Sequence, residues 1–127
     1  MHNILIVDDS PTERFYLTDI LVRAGFAVTT AVNGGEAIDK IRAERPQLIL
    51  MDVVMPGANG FQVTRSIARD PELAAIPVII CSSKNQETDR IWGMRQGARD
   101  YLVKPVDPAL LLASIASLDQ QPASAAA

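Results

Sequence analysis

Four apolar runs in this sequence each end in a side chain that can do chemistry. "ILIVDD" ends in Asp8 and Asp9, "LILMD" in Asp52, "VIICS" in Ser82 and "YLVK" in Lys104. An acid inside an apolar run is costly, because a buried charge without a partner loses its hydration. Three carboxylates brought together also repel and resist ionising. A hard divalent cation relieves that repulsion. Magnesium takes oxygen ligands, commonly one or two carboxylates with waters and a phosphate. A carboxylate such as Asp52 can attack a phosphoryl group and form an acyl phosphate. The charge that develops on the phosphoryl oxygens then needs cations and donors. Lys104 offers an ammonium and Ser82 a hydroxyl. Singly, each residue has an ordinary explanation, since acids cap turns, serines start loops and a lysine before proline is usually solvated. The weight lies in their equivalent placement at the ends of successive runs.

The intervening elements must bring those ends together. "NILIVDD" reads as a buried strand, short, apolar and rich in β-branched residues. In "SPTE", Ser10 is placed to cap a helix, with Pro11 at its first position and Glu13 completing a capping box. Leu17, Ile20, Leu21 and Ala24 then follow at helical spacing, and Gly25 ends the helix. "FAVTTA" is a weaker second strand. A helix over about 36–44 carries Ala37, Ile38 and Ile41 and stops before Pro46. "QLILMDV" is a third strand. Gly57 and Gly60 mark a loop, and a helix bearing Val63 and Ile67 ends near Asp70-Pro71. "IPVIICSS" is a fourth strand, and a helix over about 86–96 closes at Gly97. "DYLVKP" is a fifth strand, and "PALLLASIASLD" a last helix with Leu111, Ile115 and Leu118 on one face. Strand and helix thus alternate five times. Strands buried on both faces and separated by helices imply an α/β fold, a parallel sheet with helices on each side. In such sheets ligands bind beyond the carboxyl ends of the strands, where strand order reverses.

Composition narrows the classes. The chain has 127 residues, 48% of them hydrophobic and 21% charged, which suits one compact domain rather than a disordered chain. A formal net charge of -3 with no basic run argues against binding nucleic acid or anionic lipid by electrostatics. The single cysteine, Cys81, excludes an internal disulfide and suits a reducing cytoplasm; inside its apolar run it reads as an inert core thiol. No stretch reaches membrane-spanning length and the start lacks a signal-peptide layout. The expected organisation is one domain over 1–119 and a low-complexity tail, "QQPASAAA", over 120–127.

At the level of whole motifs, "ILIVDD", "LILMDVVMPGANG", "VIICSS" and "GARDYLVKP" resemble those of response-regulator receiver domains, from about Asn3 to Leu118. The resemblance implies a flavodoxin-like sheet of order 2-1-3-4-5. It implies that Asp52 accepts a phosphoryl group from a partner histidine kinase of the chemotaxis type. It implies Mg2+ held by Asp9, Asp52 and the backbone carbonyl of Val54, with Asp8 acting through water. Ser82 would bond the phosphoryl group and Lys104 would pair with it. The Lys104–Pro105 bond is cis in the family, and Tyr101 occupies the place of an aromatic that reorients on phosphorylation. With Trp92, whose neighbours suggest a half-exposed position, Tyr101 and Pro105 form the expected switch and partner face. The wording "DDSPTE" and "RIWGMRQGARDYLVKP" is most similar to stand-alone, chemotaxis-type regulators of twitching motility. The output protein is unspecified. Monomer or weak dimer is expected, as is output by protein contact or by draining phosphoryl groups.

Two other classes compete. A haloacid-dehalogenase-type phosphohydrolase also uses an aspartyl phosphate, but carries Asp-x-Asp after its first strand, where this chain has adjacent acids. A nucleotide- or flavin-binding module wants a glycine-bearing phosphate loop after a strand, and "DDSPTE" is acidic without glycine. "NGGEA" shares letters with part of a cyclic-dinucleotide synthase signature, but opens a helix after an outer strand. Nothing follows the expected fold that would bind DNA, so a transcription factor is not expected.

Overall fold

The computed structural model describes residues 3–57 and 59–119. The expected tail over 120–127 lies outside the described residues. Five strands and five helices alternate: β1 (Asn3–Val7), α1 (Pro11–Arg23), β2 (Ala27–Ala31), α2 (Gly34–Glu44), β3 (Leu48–Met51), α3 (Gly60–Arg69), β4 (Val78–Ser82), α4 (Glu87–Arg95), β5 (Asp100–Val103) and α5 (Pro108–Asp119). All strand pairs are parallel and the sheet order is β2-β1-β3-β4-β5, as the resemblance implies. The register sets the functional edge. Val7 lies opposite Met51, so Asp8 and Asp52 leave the sheet side by side. Ser82 lies opposite Val103, so Lys104 leaves beside Ser82.

Side-chain alternation along the strands builds two cores. Leu5, Val7, Ile49, Met51 and Val78 pack on one face with Ala37 and Ile41 of α2 and Val63 and Ile67 of α3. Ile4, Ile6, Leu48, Leu50, Ile79 and Cys81 pack on the other with Leu17 and Leu21 of α1 and Leu111 and Ile115 of α5. Burying each such aliphatic side chain contributes roughly 1.5–3 kcal/mol. A smaller cluster of Val53, Ile80, Ala98 and Tyr101, with Phe61 against it, lies below α4. There the helix comes close through Gly93, where a Cβ would sit 2.9 Å from Ile80 Cδ1 and 3.1 Å from Tyr101 Cδ2.

Several local expectations are corrected. α2 begins at Gly34 rather than near residue 36, because Asn33 is its cap and accepts a hydrogen bond from the Glu36 N–H at 2.8 Å. Gly60 is the first helical residue of α3 rather than a loop residue; Asn59 caps that helix in a reciprocal capping box with Gln62. At α1 only half of the capping box forms. The Ser10 hydroxyl accepts from the Glu13 N–H at 3.3 Å, but the Ser10 N–H donates to Asp8 Oδ1 at 2.9 Å. The strands end earlier than their apolar runs suggest, which leaves Asp52 and Lys104 just beyond the sheet.

Cys81 is 1% exposed, and burial pushes its thiol up to about 12 despite the nearby Lys104 charge. The folded state therefore disfavours the thiolate, the reactive form. We expect native protein at pH 8 to react with a thiol reagent only as fast as it unfolds, and at once in denaturant. Rapid, stoichiometric labelling of native protein would contradict this.

Candidate functional site

The carboxylates of Asp8, Asp9 and Asp52 lie with one oxygen of each within 4.8 Å of the others. Asp8 and Asp52 are buried, at 1% and 6% exposure, whereas Asp9 faces solvent. The Lys104 ammonium reaches in from the end of β5, donating to Asp8 Oδ2 at 2.8 Å and to Asp52 Oδ1 at 3.3 Å. Asp8 is further fixed by the Ser10 N–H on Oδ1, and its backbone carbonyl accepts from Arg14 Nη1 at 2.9 Å.

Electrostatics separate the roles. Asp52 is raised above the ordinary carboxylate range, first by burial and then by the Asp8 charge, with Lys104 and a Val53 backbone hydrogen bond pulling it back. Burial pulls Lys104 down, but its hydrogen bond to Asp8 and the charges of Asp52, Asp8 and Glu13 outweigh that, and the ammonium is held above its usual value. Lys104 is thus a fixed cation. Three carboxyl groups face a single ammonium, an excess of oxygen donors over cations. Those donors suit a hard divalent cation such as magnesium. The exposed Asp9 borders a pocket of about 590 Å³, also lined by Val32, Asn33, Gly34, Gly35, Pro56 and Gly57, which gives a ligand a way in.

Ser82 is fully buried at the end of β4, and its hydroxyl oxygen accepts from the Lys84 N–H at 3.2 Å. The Lys104 N–H donates to the Ser82 carbonyl at 2.9 Å, tying the hydroxyl and the ammonium to one rung. Tyr101 points inward at 3% exposure and donates its hydroxyl to the Lys84 carbonyl at 2.7 Å; burial is the main reason its phenol is raised. The Lys104–Pro105 bond is cis. Val54, two residues beyond Asp52, has an exposed side chain. Trp92 is half-exposed on α4, away from the acids, and Pro105 is exposed beside Lys104.

Two residues of the site escape sequence reading. Glu13, read as a capping residue, has Oε2 sealed from solvent with no hydrogen-bond partner, and its charge bears on Lys104. Buried polar atoms left unpaired are uncommon and costly. Gly60, read as a loop glycine, lies against the backbone of Asp52. Both depend on how α1 and α3 seat on the sheet, which no local pattern encodes.

Residues 4–116 match the family described as "Response regulator receiver domain". Protein PilH of Pseudomonas aeruginosa is 57% identical over 115 residues, covering 91% of this chain and 95% of that protein. Chemotaxis protein CheY of Thermotoga maritima is 35% identical over 114 residues, covering 88% of this chain and 92% of that protein. Among solved structures, the Vibrio cholerae chemotaxis protein CheY4 superposes with a TM-score of 0.85 at 31% identity, over 92% of this chain and 98% of that chain. These likenesses lend the phosphohydrolase alternative no support.

Proposed function

The chain belongs to the response regulator receiver family, and from that premise we propose that Asp52 is its phosphoacceptor, served by Lys104, Ser82 and a magnesium ion. The observation that carries this reading is the Lys104 ammonium bridging two buried carboxylates beside an exposed third. An Asp52 carboxylate oxygen attacks the phosphorus of the donor. The new O–P bond forms as the donor's bond breaks, a P–N bond for a histidine kinase or a P–O bond for acetyl phosphate, and the leaving atom keeps the electron pair. Lys104 and the Ser82 hydroxyl then serve the phosphoryl oxygens. Asp9, Asp52 and the Val54 carbonyl would hold magnesium directly and Asp8 through an intervening water; when bound, it supplies positive charge to carboxylates and phosphoryl oxygens alike.

The same residues couple chemistry to shape. A Ser82 hydroxyl recruited by the phosphoryl group gives up its place under the Lys84 N–H. The Lys84 carbonyl holds Tyr101, so the aromatic and the surface of α4, β5 and Pro105 respond. A ligand shifts such an equilibrium only through contacts that differ between the states, and the Ser82 contact is the difference this reading supplies.

The reading is of a switch rather than a turnover enzyme, catalysing only its own phosphorylation and dephosphorylation. It acts in the cytoplasm with a chemotaxis-type kinase, in control of twitching motility, for which the likeness to PilH is the support. Among the described residues no helix is long and apolar enough to cross a membrane. Its output is protein contact or phosphoryl drainage. The test is incubation with acetyl phosphate, with and without magnesium. One acid-stable, base-labile phosphoryl group is expected, and only with the metal. Failure to label, or a label mapped to Ser82, overturns the assignment.

A further inference from the structure

A second pocket, of about 310 Å³, lies between the C-terminal halves of α3 and α4, lined by Arg65, Ala68, Arg69, Trp92, Arg95, Gln96 and Gly97. Its lining includes three arginines and no acid, on a chain of net charge -3. Of the six arginines elsewhere five are engaged, Arg14 with the Asp8 carbonyl, Arg23 with Asp19, Arg42 with Asp70, Arg45 with Glu72 and Arg90 with the Tyr101 carbonyl, while the Arg99 side chain has no partner among the described residues. Arg65, Arg69 and Arg95 have no hydrogen-bond or ion-pair partner among the described residues, and neither does the Trp92 indole. Gln96 is only 8% exposed and its side-chain amide has no protein partner there, its polar atoms keeping access to solvent at the pocket.

Helix ends explain part of this. Arg69 and Arg95 stand in the last turns of their helices, where the backbone carries about half a negative charge and favours cations. That account leaves out Arg65, one turn earlier and in repulsive i,i+4 spacing with Arg69. It also leaves out the unpaired Gln96 amide and the half-exposed indole. Two helix ends together supply about one negative charge against three positive ones, so the pocket remains positive.

We propose that this pocket binds a small anion bearing a flat aromatic ring, of the nucleoside monophosphate class. Guanidinium forks suit a phosphate in bidentate geometry. The indole offers a face on which a base can stack, and the Gln96 amide offers both a donor and an acceptor. The volume sits at the small end for ligand pockets, which fits one nucleotide rather than a polynucleotide or a protein helix. The site is separate from Asp52, and the proposal does not rest on the phosphoacceptor assignment.

Trp92 is the only tryptophan, so tryptophan fluorescence reports this pocket alone. The experiment titrates AMP, GMP, inorganic phosphate and a polyglutamate peptide into the full chain, with calorimetry beside fluorescence. A saturable change with AMP or GMP at a Kd of ~1 mM or tighter is expected. It should weaken about tenfold or more in Arg65→Ala/Arg69→Ala and in Gln96→Leu, each first shown to melt as the parent does. Binding of inorganic phosphate as tight as that of the nucleotides would overturn the aromatic part of the proposal. Tighter binding of polyglutamate would overturn it in favour of an acidic protein segment. No saturable change, or one indifferent to these substitutions, overturns it altogether.

Discussion

Asp52→Asn takes up no phosphoryl group from acetyl phosphate and, in magnesium-free buffer at neutral pH, melts above the parent. The first result follows from chemistry, since a carboxamide of the same shape is no nucleophile for phosphorus. The second follows from the field at the site. Asp52 is raised, by burial and then by Asp8, so the folded state disfavours its ionised form. A carboxyl raised in this way contributes most to stability below its ordinary value of 3.8, and that contribution is lost as pH rises through the unfolded and then the folded pKa. At neutral pH the whole cost is present, and asparagine removes it. The contact forfeited is the longer of the two Lys104 makes, 3.3 Å against 2.8 Å to Asp8, so the ammonium keeps a partner. The expected gain is on the order of 1 kcal/mol, or about 3–5 °C for a chain of this length. Intact mass after acetyl phosphate and calorimetric melting with and without magnesium check both claims. Saturating magnesium should raise the parent more than the variant and narrow the gap. A variant that still labels places the acceptor elsewhere, and one that melts below the parent shows the Lys104 pair outweighing the repulsion.

Gly60→Ala should damage the fold and the site together. A Cβ there would lie 2.0 Å from the Asp52 carbonyl oxygen and 2.8 Å from both Asp52 C and Val53 Cα. Those are backbone atoms, so no side chain can swing away. The segment is also tied, because the Gly60 N–H donates to the Val53 carbonyl at 2.9 Å. Either α3 lifts off its core contacts at Val63 and Ile67, or the strand end carrying Asp52 moves. We expect a loss of about 3 kcal/mol or more, seen as a melting point lower by about 10 °C or more, with slower phosphoryl uptake at temperatures where the variant is still folded. Gly57→Ala is the control. Gly57 has φ +78 with nothing within 4 Å of the added carbon, so it carries only the left-handed backbone penalty of about 1–2 kcal/mol. Equal melting points for the two variants would show that close packing under α3 is not the constraint.

Which residues were legible in the sequence has a physical pattern. Asp8, Asp52, Ser82 and Lys104 stand where apolar runs meet polar residues, and parallel pairing aligns those ends, so hydrophobic patterning alone brings them to one edge. Strand order did not come from patterning; it came with the resemblance, because five similar buried strands carry no local label of their neighbours. The start of α2 was missed because the cap is Asn33 rather than a residue next to the apolar stripe. Glu13, Gly60 and the three arginines of the second pocket escape sequence reading for one reason. What matters in each is what another helix places against it, and helical spacing reports only which face of a helix is apolar.

Gly93 is the only buried residue of α4. Helices in proteins owe most of their stability to the apolar surface they bury, and a glycine has no side chain with which to bury any. α4 is therefore held to the sheet by the close fit of Gly93, the half-exposed Ile91, Trp92 and Met94, and the Arg90 hydrogen bond to the Tyr101 carbonyl, with no fully buried side chain to anchor it. Such an element stores little free energy in its resting place, and little is needed to redistribute it. One hydrogen bond worth about 1 kcal/mol changes a two-state ratio roughly fivefold. A signal arriving at α4 can be read through the rearrangement of a single bond, and the sensitivity of the read-out is set by how weakly the helix is anchored.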